Sequence, residues 1–275
     1  MAYSQHTADL PQGTVTYHKA GSGRPLLYLH SGGGFMESKS VLTLAEHFTV
    51  FAPVAPGFQG TPMLDGIDSI KTLADLWATF IDEVIGAAPA DVLGYSFGGY
   101  AATWLAAAHP DKVDQLLLQA PAGLAPGGGT GIPDDPKQRV AMLYKYPDRM
   151  PDGIQPGANY AENRDAIKQY IQTGYDEDLV ARLGDVTSLS LIVLGSDDQL
   201  VPQATGQLLK EKLNKAHFIY VYDAGHGLEV DQRIVQHPHL GPIHPSGEGI
   251  PGVDIPREVV GQHQQQMRGN EGDDK

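Results

Sequence analysis

The chain has no cysteine in 275 residues. That removes disulfides, thiolate metal sites and a cysteine nucleophile together. It also lacks any run near the ~20 apolar residues that a helix needs to cross a bilayer. Met1 to Leu10 has neither a basic n-region nor an apolar h-region, so no signal peptide is expected and the cytoplasm is the expected location. Positive charge is scarce: 19 Lys and Arg face 33 Asp and Glu, a formal net charge of −14. Nucleic acid and anionic membrane surfaces would repel such a chain, so neither is expected as a partner.

What remains is an ordinary globular composition, with 41% hydrophobic and 19% charged residues. The length suits one large α/β domain or two small ones. Residues 14–19 alternate as a strand does, and Pro25 to His30 forms a short apolar run. Unbroken apolar runs of this length suit strands buried on both faces. Further strands are predicted at 49–54, 91–95, 113–119, 189–194 and 216–222. Helical spacing occupies 38–48, 72–85, 98–108 and 203–213, between those strands. Strands alternating with helices imply a mostly parallel twisted sheet with helices on both faces.

Between the strands at 113–119 and 189–194 the pattern changes. Residues 121–136 are rich in Gly and Pro, and helical character returns at 136–146, 161–172 and 176–183. This predicts a core of 1–120 and 188–230 with a helical cap over 121–187. Residues 231–275, rich in Pro, Gly and His and then acidic, read as an irregular tail that could dock elsewhere or pair with a second subunit as a homodimer. His237, His239 and His244 fall in it, without ligand spacing or a carboxylate partner, so no metal is expected. No cofactor is expected either.

The stretch from Asp91 to Tyr100 carries the chemistry. Its Gly94-Tyr95-Ser96-Phe97-Gly98 reads as a strand end, a sharp turn and a helix start, the pattern that presents a serine at a sheet edge. Glycines at 94 and 98 are expected because a Cβ would clash there and because tight turns use glycine's freedom. A serine hydroxyl needs a base, and the base needs an orienting carboxylate. Asp198 and His226 follow Ser96 in that order, each just after a predicted buried strand, so all three fall at one edge of the sheet. Asp197 is the rival carboxylate. Gly225 and Gly227 flank His226 and are expected to permit an exposed loop. The Gly32-Gly33-Gly34 loop follows the strand ending at His30 and lies at the same edge.

These pieces, His30 with its glycines, the Ser96 turn, Gly195-x-x-Asp198-x-x-Val201-Pro202 and Gly225-His226, make the chain resemble the α/β-hydrolase superfamily over about residues 14–230. The resemblance implies Ser96 as nucleophile, His226 as base then acid, and Asp198 as the orienting acid, three residues after its glycine. It also implies an oxyanion hole from the N–H groups of Phe97 and Gly32, with Gly33 next in line. The expected reaction is hydrolysis of a small carboxylic ester or related acyl compound, with a small molecule as substrate. The alternatives are carbon–carbon hydrolysis of ring-cleavage diketones, acyl transfer, and a non-catalytic ligand receptor. The diketone hydrolases of the superfamily usually carry Trp after the histidine, where this chain has Gly227. Tyr144, Tyr146, Tyr160, Tyr170 and Tyr175 are the aromatic candidates for the pocket wall.

Overall fold

Eight strands build one sheet: β1 (Ser4–Leu10), β2 (Gly13–Ala20), β3 (Arg24–Leu29), β4 (Phe48–Pro53), β5 (Ala90–Tyr95), β6 (Val113–Gln119), β7 (Leu189–Gly195) and β8 (Ala216–Val221). The computed structural model describes residues 2–128, 131–150 and 158–231. Their order across the sheet is β1-β2-β4-β3-β5-β6-β7-β8. β2 runs antiparallel to both β1 and β4, and every later pairing is parallel. The mostly parallel sheet expected from the sequence is present. β1 is an addition to it: most of its residues are exposed, so it carries no apolar run to betray it.

Neighbouring residues of the central strands go to opposite faces, and both faces are covered. Leu27 and Leu29 of β3, Val92 of β5 and Ile192 and Leu194 of β7 enter one large core. On the other face Leu26 and Leu93 join one smaller cluster, and Leu191 and Val193 join another. This two-sided burial is why the strands read as unbroken hydrophobic runs rather than alternating ones.

The helices are α1 (Lys39–Leu44), α2 (Ile70–Phe80), α3 (Phe97–Ala108), α4 (Pro136–Leu143), α5 (Ala158–Tyr170), α6 (Glu177–Arg182), α7 (Gln203–Lys212) and α8 (Leu228–Asp231). α2 is shorter than its apolar pattern suggests. It passes into a π-helical turn over Ile81–Ile85 that ends on left-handed Gly86. α3 is buried along nearly its whole length, and its alanines let it lie close against the sheet. α4, α5 and α6 lie between β6 and β7. Residues 232–275 are outside the described residues, and so is the predicted tail beyond Asp231. Asp231 itself, assigned to that tail by the sequence, closes α8 and is 1% exposed.

Asp176 joins α6 to α3. Its Oδ1 accepts from Leu179 N–H at 3.0 Å and caps α6. Its Oδ2 accepts from Tyr100 Oη at 2.6 Å and Trp104 Nε1 at 2.8 Å, both on α3. Truncation removes a helix cap and leaves two donors of buried aromatic side chains unpaired. Asp176→Ala should therefore lower the unfolding free energy by about 2–3 kcal/mol, read from urea denaturation.

Candidate active site

Ser96 stands between β5 and α3 with φ +53°. A non-glycine residue held there stores strain of order 1–3 kcal/mol, so its surroundings must hold it in place. They do so through the backbone. Ser96 N–H donates to Gln119 O at 2.9 Å, and its own carbonyl accepts from Tyr100 N–H at 3.1 Å and Ala122 N–H at 3.0 Å. The flanking glycines are needed for space. A Cβ at Gly98 would sit 2.1 Å from Leu29 O, and one at Gly94 would sit 2.4 Å from Gly98 O. Neither glycine has a positive φ. The left-handed backbone expected of the turn falls on Ser96 itself.

The structure brings Ser96, His226 and Asp198 together, although 130 positions separate the first two in sequence. His226 Nε2 lies 2.8 Å from Ser96 Oγ, and His226 Nδ1 lies 2.9 Å from Asp198 Oδ2. The other carboxylate oxygen, Oδ1, accepts from Leu200 N–H at 2.8 Å and Val201 N–H at 2.9 Å. A carboxylate used wholly as acceptor puts the imidazole proton on Nδ1 and leaves Nε2 free to accept from the serine hydroxyl. The Asp198 side chain is 0% exposed and that of His226 is 4% exposed. Asp197 is on the surface, paired with Lys145 Nζ at 3.1 Å and Ser196 Oγ at 2.8 Å.

The exposed loop expected around His226 is not found. Gly225, His226 and Gly227 are all buried. The glycines serve close packing here: a Cβ on Gly227 would meet the Tyr144 ring at 2.3 Å. Asp231 fastens this loop to the chain after α4. Its carboxylate accepts from Gly225 N–H at 2.8 Å, Lys145 N–H at 3.0 Å and Tyr146 N–H at 2.7 Å. Gly227 N–H also donates to Leu143 O at 2.8 Å. The histidine loop is thus tied to the 143–146 stretch. Nothing in the sequence pattern marked Asp231.

His30 organises the glycine loop. Its Nδ1–H donates to Ser31 O at 2.7 Å, and its Nε2 accepts from Ala55 N–H at 3.0 Å. Ser31 O also accepts from Gly34 N–H at 3.0 Å. A trans peptide points its N–H opposite to its carbonyl. Pinning Ser31 O therefore turns Gly32 N–H away from His30. Among the described residues neither Gly32 N–H nor Phe97 N–H has a protein acceptor, and both residues line the cavity that contains Ser96. Gly33 N–H is spent on Ser31 Oγ at 3.3 Å. Asn163 of α5, fully buried, donates to Gly32 O at 3.2 Å and accepts from Gln59 N–H at 2.9 Å.

The cavity measures about 430 Å³. Of the aromatic candidates, Tyr144 and Tyr160 line it. Tyr146 instead donates to Asp223, Tyr170 donates to Pro56 O at 3.1 Å, and Tyr175 pairs with Leu124. Tyr95, Leu200 and Glu229 also line it and were not singled out by sequence. Among the described residues no cluster of His, Asp or Glu could hold a metal ion, and no helix is long and apolar enough to cross a membrane. His237, His239 and His244 lie outside the described residues.

Burial lowers the His30 pKa from 6.5 to about 4. Between those values the unfolded chain holds the extra proton, so falling pH favours unfolding. His30 should contribute about 3 kcal/mol of stability above pH 6.5 that is lost as the pH falls to 4. Comparing urea midpoints of the wild type and His30→Asn across that window isolates the contribution. The variant should be less stable at neutral pH and show the shallower pH dependence.

Residues 9–236 match the model of the alpha/beta hydrolase family. A pimeloyl-acyl-carrier-protein methyl ester esterase of Neisseria meningitidis is 30% identical over 195 residues, which are 62% of this chain and 60% of that protein. A 2-hydroxy-6-oxo-6-phenylhexa-2,4-dienoate hydrolase of Burkholderia cepacia is 24% identical over 242 residues, 77% of this chain and 84% of that one. The crystal structure of a serine hydrolase involved in carbazole degradation superposes with a TM-score of 0.71 at 22% identity. It covers 84% of this chain and 95% of its own. With the sheet order, the turn at Ser96 and the matched span in agreement, the chain belongs to the alpha/beta hydrolase family.

Proposed function

We propose that the chain is a serine hydrolase that cleaves small carboxylic esters through an acyl-enzyme on Ser96. The observation that carries this reading is the continuous hydrogen-bond chain from Ser96 Oγ through His226 to a buried Asp198. The name of the Neisseria relative, a methyl ester esterase, supports an ester as the bond cleaved.

In this reading Ser96 Oγ attacks the ester carbonyl while His226 Nε2 takes its proton. Asp198 holds the imidazole by Nδ1–H and stabilises the imidazolium. The negative oxygen of the tetrahedral intermediate receives the N–H groups of Phe97 and Gly32, and the α3 N-terminus adds its positive dipole end. The imidazolium then returns its proton to the departing alcohol. Water attacks the acyl-enzyme with His226 again as base, releasing the acid and restoring Ser96. Residues 121–187 act as a cap. Support comes from Tyr144 and Tyr160 at the cavity wall and from Asn163, which reaches across to Gly32.

A second reading, cleavage of a carbon–carbon bond, has the name of the Burkholderia relative behind it. Parallel assays with p-nitrophenyl butyrate and a coloured phenyl dienoate separate the two by which one turns over.

Ser96→Ala should cut kcat for p-nitrophenyl butyrate by at least about 10⁴-fold, and Asp198→Asn by about 10⁴-fold through the wrong imidazole tautomer. Full activity in Ser96→Ala would refute the reading.

A further inference from the structure

The wall of the cavity beside His226 carries a carboxylate that the ester mechanism does not use. Glu229 sits on α8, three residues after His226, and is half-buried. Its Oε2 accepts from Ser38 Oγ at 3.0 Å and from Ser40 Oγ. Ser38 caps α1 and Ser40 lies in its first turn, so the carboxylate is clamped between α8 and α1. Among the described residues Oε1 has no protein donor, and no cation pairs with Glu229. Its charge is felt by its neighbours. The Tyr144 phenol is pushed up to about 12, first by burial and then by Glu229. Tyr95 and Tyr28 are raised by burial and by the same charge.

Glu229 and Lys168 are the two fixed charges on the lining among the described residues. They are not equivalent. Lys168 belongs to the last turn of α5 and is exposed, where solvent and salt screen it. Glu229 sits in the protein wall with two hydroxyls holding it, so its field reaches a bound substrate with less screening.

Resting on the ester-hydrolase reading, we propose that Glu229 is the specificity-determining residue for substrate charge. It rejects esters that carry a free carboxylate against the α1–α8 wall and admits neutral or cationic ones. An unpaired like charge is an effective way to discriminate, because the wrong substrate brings a carboxylate with no partner beside an existing one. The cavity then suits an ester whose other end is capped or apolar, and it disfavours a dienoate acid.

Two matched pairs test this, one with the charge on the acyl side and one with it on the alcohol side. They are p-nitrophenyl pentanoate against mono-p-nitrophenyl glutarate, and phenyl butyrate against 4-carboxyphenyl butyrate. The readout is the neutral-to-anionic ratio of kcat/KM for wild type, Glu229→Gln and Glu229→Lys. The wild type should prefer the neutral ester in at least one pair by about tenfold or more. Glu229→Gln should shrink that ratio about tenfold, and Glu229→Lys should invert it. Thermal melts of each variant confirm the fold, and Gln keeps an oxygen for the two serines. Ratios unchanged in both variants, or a wild-type preference for the carboxylates, overturn the proposal. Turnover of the neutral esters that survives Ser96→Ala would instead strike at the ester-hydrolase reading and leave a distinct signature.

Discussion

The site depends on one close approach: the first turn of α3 against the end of β3. Gly98 lies so near Leu29 O and His30 O that a single added Cβ would be 2.1 Å and 2.6 Å from them. This contact holds the helix start beside the loop after His30. Phe97 and Gly32 line the same cavity as Ser96, and the bend falls on Ser96 at φ +53°. The strain is local, and it is offset by the hydrogen bond that Ser96 N–H donates to Gln119 O and the two that Ser96 O accepts from Tyr100 and Ala122 N–H. A preorganised site needs such a supporting layer, since donors and nucleophile must already be aimed before substrate arrives.

The supporting layer has two parts with different chemistry. On the β3 side a neutral histidine, His30, accepts one backbone N–H and donates to one carbonyl. Its burial keeps it neutral, and neutrality is what lets Nε2 accept. On the β8 side an anion does the work. Asp231 gathers the backbone N–H groups of Gly225, Lys145 and Tyr146, which locks the His226 loop to the segment after α4. Lys145 adds ion pairs at 3.1 Å to Asp197 and 2.8 Å to Asp223, on the loops after β7 and β8. The residues between β6 and β7 are therefore tied to the His226 loop as well as to the glycine loop.

Much of this was legible because chain order and sheet order constrain each other. Ser96, Asp198 and His226 each follow a buried apolar run, and parallel strands deliver their ends to one edge. The resemblance carried by the same motifs pointed to the same residues. β1 was not legible, since residues 4–8 are mostly exposed and an edge strand needs no apolar face. Asp231 and Glu229 were not legible either. Each is an acidic residue just after the histidine, and only packing against 143–146 or α1 separates them from a solvated helix face. The glycines around Ser96 and His226 were expected to bend or expose the chain. In the fold their main service is room for neighbouring atoms, a property of tertiary contact that spacing does not report.

The proposed reaction requires that Ser96 Oγ carry the acyl group. Intact-mass and peptide mass spectrometry after brief reaction with p-nitrophenyl acetate at low pH, where deacylation slows, measures it directly. One acetyl group is expected on the peptide containing Ser96 and none in Ser96→Ala. Turnover without that adduct, or an acetyl group carried on a different residue at the same rate as turnover, would contradict it.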